Sequence, residues 1–96
     1  MNKSEALGLL GQVMDGWEKR TYDQLASRID TQPITGEKKG EAGEIYQYEV
    51  QFFWDGEPGL AVRIIGSIDD GGWRAYFPLT RSFIRNPSSE SNPNIA

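Results

Sequence analysis

The chain contains no cysteine and no histidine. Without cysteine there is no disulfide and no thiolate nucleophile, and the composition suits a reducing compartment. Without histidine the chain lacks the commonest general base, the commonest zinc ligand and the usual near-neutral pH switch. Long hydrophobic runs are missing too, so no membrane span is expected. The first four residues lead into a stretch broken by Glu5, Gln12 and Asp15, not into the continuous apolar segment of a secretion signal. The expected location is therefore cytoplasmic. An excess of positive charge is also lacking: ten basic residues stand against fourteen acidic ones, a net charge of −4. That balance disfavours a surface that tracks nucleic-acid phosphates. No metal, cofactor, nucleic acid or membrane partner is expected.

What remains is a globular composition, 38% hydrophobic and 11% aromatic, in 96 residues. That is enough chain for one core and too little for two. The pattern centres on residues 44–54, EIYQYEVQFFW. With a period of two, Tyr46, Tyr48, Val50, Phe52 and Trp54 share one face, and Ile45, Gln47, Glu49, Gln51 and Phe53 the other. This is a long strand with one aromatic-rich buried face, of the kind antiparallel sheets use.

Ahead of it, residues 4–19 carry Leu7, Leu10, Met14 and Trp17 at helical spacing, widened by Leu9 and Val13, with Ser4 as the expected N-cap. Thr21-Tyr22-Asp23-Gln24 has capping-box spacing and should open a second short helical piece, or continue the first past a kink, until Pro33. Residues 34–40 form a charged, weakly apolar edge strand. Asp55-Gly56-Glu57-Pro58-Gly59 and Asp69-Asp70-Gly71-Gly72 are hairpin turns. Between them, residues 60–68 alternate again, with Leu60, Val62, Ile64, Gly66 and Ile68 on one face. A last strand is expected over residues 73–85, with Pro78 marking an edge, bulge or bend, and Phe83 and Ile84 packing on the first helix. Residues 86–96 are polar, carry two prolines and are expected to be a disordered tail. The expectation is one α+β domain over residues 1–85: an N-terminal helix, kinked or in two pieces, on a curved antiparallel sheet of three to four strands.

The helix ending in Trp17-Glu18-Lys19-Arg20-Thr21-Tyr22-Asp23-Gln24-Leu25, followed by long strands ending in Phe53-Trp54-Asp55-Gly56, resembles the nuclear transport factor 2-like superfamily. The likeness is one of pattern and order, over about residues 4–85. It implies a cystatin-like roll, with a curved sheet wrapped around helices. In that family, enzymes resembling ketosteroid isomerase place a tyrosine and a carboxylate in an apolar pocket. The chain has fewer helices ahead of its sheet, and lacks the histidine that many family enzymes use.

Several groups of residues are candidates for function. Trp17, Tyr46, Tyr48, Trp54, Trp73 and Tyr76, with Phe52, would line a small apolar ligand pocket or simply fill the core. Glu49 alternates away from Tyr48, so the strand itself supplies no tyrosine–carboxylate pair. Ile45, Phe53, Arg63 and Ile65, with Ala61, put apolar surface on the second sheet face and mark it as a homodimer interface. Arg63, Arg74, Arg81 and Arg85 would either present an anion surface or pair across strands with Glu49 and its neighbours. Asp55 with Glu57, and Asp69 with Asp70, sit in glycine-containing turns, where aspartate bonds the local backbone. The Gly71-Gly72 and Gly56/Gly59 turns lack the strand–loop–helix setting of a phosphate cradle. The expected function is a small non-enzymatic dimeric module; the alternative is a small-molecule binder or isomerase-like enzyme using the aromatic pocket.

Overall fold

A computed structural model describes residues 2–71 and 78–87. The expected strand start at Trp73 to Phe77, including the candidates Trp73, Arg74 and Tyr76, and the tail over 88–96 lie outside the described residues.

Helix α1 spans Lys3–Glu18 and helix α2 spans Tyr22–Ala26. The N-cap of α1 is Asn2, not Ser4: the Asn2 Oδ1 accepts the Glu5 N–H at 3.0 Å. Capping two residues earlier makes Glu5 the third residue of the first turn, where its charge meets the positive end of the helix. The buried stripe is Ala6, Leu10, Gly11 and Met14, with Leu7, Leu9, Val13 and Trp17 half-buried at its margins. The capping box forms as its spacing demands. Thr21 Oγ1 accepts the Gln24 N–H at 3.2 Å, and Gln24 Oε1 accepts the Thr21 N–H at 3.0 Å. The helical region is therefore two pieces. The connector to the sheet bends at Asp30, whose φ of 68° lies in the left-handed region that aspartate tolerates better than most residues.

Four strands follow: β1 Ile34–Lys39, β2 Ile45–Trp54, β3 Val62–Asp69 and β4 Leu79–Arg85. They form one antiparallel sheet in the order β1-β2-β3-β4. Strand β3 begins at Val62 and leaves Leu60 in the preceding turn, half exposed. Pro78 stands immediately before β4, an edge strand. Helix α1 packs on β3 and β4, and α2 on β2 and β3, all on one side of the sheet.

The core is the covered face. Tyr46, Val50 and Phe52 from β2 and Val62, Ile64 and Ile68 from β3 meet Ala6, Leu10 and Met14 from α1 and Leu25 from α2. The fold is thus α+β, with two helices over one face of an open four-stranded sheet. Among the described residues nothing packs on the opposite face.

Side chains of α1 fill the space over Gly66 in β3. A Cβ there would collide with the Met14 sulfur and stand 3.1 Å from Leu10 Cδ1. Both neighbours are buried, so neither side chain can swing away freely. Gly66→Ala is expected to lower stability by about 1–3 kcal/mol, the usual cost of overpacking a filled core. Urea denaturation at constant m-value checks this; an unchanged midpoint would show that α1 can slide on the sheet.

Candidate functional site

Side chains that point away from the helices form the uncovered face. Register places Phe53, Arg63 and Ile84 side by side across β2, β3 and β4, with Gln51, Ile65 and Ser82 in the next row. Phe53 is 42% exposed and Ile84 44%. Arg63 lies between them and sends its guanidinium to the adjoining turn: Nε and Nη2 donate to Asp55 Oδ1 at 3.0 and 2.7 Å. The charge is thereby held at the margin, and the Arg63 stem joins an apolar patch. Asp55 is therefore an ion-pair partner rather than a backbone-bonding turn residue. Asp69 does follow turn chemistry, its Oδ1 accepting the Gly71 N–H at 2.7 Å.

Three of the four face candidates, Phe53, Arg63 and Ile65, come together here. Ile45 is on the same face but sits opposite Lys39, eight residues from Phe53 along β2, about 27 Å away at strand rise. The remainder of the face is polar. A shallow depression of ≈ 530 Å³ there is lined by Glu37, Gln47, Glu49, Ser67 and Asp69 among others.

Ile84, expected against the helix, belongs to the uncovered face, and Arg81 and Arg85 belong to the covered one. The reason is register: Arg81 stands opposite Gly66, and Arg85 opposite Val62. Arg81 stretches over Gly11, so closely that a Cβ at position 11 would meet its Nη1 at 2.7 Å. Arg85 donates to the carbonyl of Glu18 at 2.6 Å, satisfying an orphan acceptor in the last turn of α1, and to that of Arg20 at 2.8 Å, just past the helix. Neither arginine pairs with Glu49 across the sheet.

The described aromatic candidates are dispersed rather than gathered around one cavity. Trp17 meets Phe52 edge-on at 5.1 Å and carries the guanidinium groups of Arg20 and Arg28 within 6 Å of its ring. Tyr48 lies across the strand pair on Gly36. Trp54 is half-buried beside a depression of ≈ 340 Å³ shared with Phe52, Phe53, Ile29 and Asp30. Tyr46 is fully buried at the other end of β2.

A tyrosine–carboxylate pair does exist, but between elements. The Tyr46 hydroxyl donates to Glu5 Oε1 at 2.8 Å, while Glu5 Oε2 accepts the Glu41 N–H at 2.9 Å. Both carboxylate oxygens are engaged, which suits a clamp from the first turn of α1 to the β1–β2 turn. The backbone bond from Glu41, then the bond from Tyr46, hold the Glu5 carboxyl below its ordinary value. Burial first, then the neighbouring Glu5 and Glu44 carboxylates, push the Tyr46 phenol up to about 12.

Among the described residues no helix is long and apolar enough to cross a membrane. Comparisons with protein-family models, curated proteins and solved structures find no match for the chain.

The clamp has a signature at each end of the pH scale. Tyr46 holds its proton more tightly folded than unfolded, so its contribution is complete below about pH 10 and lost as pH rises toward 12. Glu5 has the opposite sign: its contribution is present above its ordinary value of 4.5 and lost as pH falls through the lowered one. Ultraviolet titration of the tyrosines should show one ionising about two units late, together with unfolding. Glu5→Gln should bring that ionisation earlier. A tyrosine set that titrates uniformly near pH 10 would remove the clamp.

Proposed function

We propose that the chain is a small non-enzymatic interaction module of nuclear transport factor 2-like, cystatin-like type, working as a homodimer through its uncovered sheet face. The observation that carries this is the Phe53–Arg63–Ile84 row with Ile65 beside it. These residues expose a contiguous apolar patch, with its one charge drawn aside by Asp55. A two-fold arrangement sets the patch against itself and leaves the Glu37, Glu49 and Asp69 end of the face in water. The patch spans three strands about 4.8 Å apart over roughly half of their length, roughly 200 Å² per copy, which is the size of a weak, transient contact. The dimer is therefore a reversible one. The cystatin-like assignment is supported by the consecutive antiparallel strand order, with helices on one face only. Trp17, Phe52 and Tyr46 pack or bond to neighbours in the space where an isomerase-like enzyme would keep its pocket.

Light scattering across a concentration series tests the assembly. Wild type is expected to approach twice the 10.8 kDa chain mass as concentration rises. Ile65→Glu should hold the protein at the mass of one folded chain, whereas Ile45→Glu, remote from the patch, should leave the dimer intact. A wild type that stays monomeric throughout, or an Ile65→Glu protein that still dimerises, would sink the proposal.

A further inference from the structure

The uncovered face is not the one unfilled surface that β2 presents; its edge is another. Strand β1 pairs with β2 only as far as Ile34 opposite Val50, and β2 continues for four more residues with β3 alone beside it. Two hydrogen bonds show where the peptide groups of that extension point. Gly40 donates to the Glu44 carbonyl at 2.8 Å just past the β1–β2 ladder, making it a hydrogen-bonded pair. Alternation then makes Lys38/Tyr46, Gly36/Tyr48 and Ile34/Val50 pairs of the same kind. Asp55 donates to the Ala61 carbonyl at 2.8 Å, which fixes the opposite parity toward β3. Both counts agree that Phe52 and Trp54 direct their N–H and C=O groups to the side that β1 has left. No described hydrogen bond reaches those four groups.

Beside them the connector stands off instead of pairing. The left-handed bend at Asp30 turns the chain, and Pro33 offers no N–H. The gap is the ≈ 340 Å³ depression walled by Ile29, Asp30 and Pro33 on one side and by Phe52, Phe53 and Trp54 on the other. Unpaired strand groups in an aromatic-walled groove are what a docked strand requires: main-chain bonds supply affinity, and alternate side chains supply selection. Asp30 is the one ionisable side chain among the residues lining the groove. Its carboxylate and the adjacent aromatic rings favour a lysine or arginine on the incoming chain.

We propose that the free edge of β2 at Phe52 and Trp54 binds a short extended segment of a partner protein, of alternating apolar and basic residues, as an added strand. The site adjoins the dimer face and shares the Phe53 side chain with it, but its main-chain bonds come from the edge of β2 and not from the Ile65 and Ile84 side chains.

The probe is the peptide acetyl-Val-Lys-Val-Lys-Val-amide, titrated by calorimetry into the full chain, with amide hydrogen exchange followed residue by residue. Binding is expected to slow exchange at the Phe52 and Trp54 amides about tenfold or more at saturation. An analogue N-methylated at alternate amides should lose about tenfold or more in affinity, because it cannot complete the ladder. Asp30→Asn, which keeps the left-handed conformation accessible, should weaken binding about threefold, the scale of an exposed ion pair. The proposal is overturned if the peptide fails to bind at millimolar concentration, or if the N-methylated analogue binds equally well. It is also overturned if protection at Phe52 and Trp54 appears with protein concentration alone, which would give the edge to a second copy.

Discussion

Everything in this molecule depends on the two alternations of a single strand. Successive side chains of β2 point to opposite faces, and successive peptide groups point to opposite edges. One face meets the helices and becomes the core; the other carries Phe53 into solvent. One edge is paired by β3 from Gln47 to the end of the strand, while the other is paired by β1 and then abandoned. Ten residues thus decide what is buried, what is exposed and which main-chain groups are left over. A one-residue slip in register would exchange all of these at once, placing Gln47 and Glu49 in the core.

The helix layer is fastened at both ends by polar groups rather than by apolar contact alone. Glu5 joins the first turn of α1 to Glu41 and Tyr46, and Arg85 closes its last turn from β4. Between these fastenings Gly66 and Gly11 thin the two layers so that Met14 and Arg81 can pass. Close approach and terminal clamps reinforce each other. A helix held at its ends can rest on a glycine without rolling, and a helix seated on a glycine keeps its ends within bonding distance.

Where structure followed from near neighbours, the sequence could be read. The period of two in β2 and β3 predicts both of their faces, and the capping box at Thr21 forms as its spacing requires. Where structure depends on contacts between distant residues, no local signal existed. Asn2 and Ser4 are equally good caps in isolation, and Glu5 selects Asn2 through residues some forty positions away. Arg81 and Arg85 look like surface charges until register sets them opposite Gly66 and Val62. The free edge at Phe52 and Trp54 depends on where β1 begins relative to β2, which composition does not encode. The gathering of Phe53, Arg63 and Ile65 could be anticipated from alternation, whereas the contribution of Ile84 required the register of β4.

Arg85 also bears on the order in which the chain is made. Helix α1 is made before the strands, yet it packs on β3 and β4, and the carbonyl of Glu18, its last residue, accepts from Arg85 on the last of those strands. Short helices are marginal on their own in water. The helix therefore has no finished surface to rest on until β4 has emerged. Until then Leu10 and Met14 stay uncovered, waiting for β3 and β4.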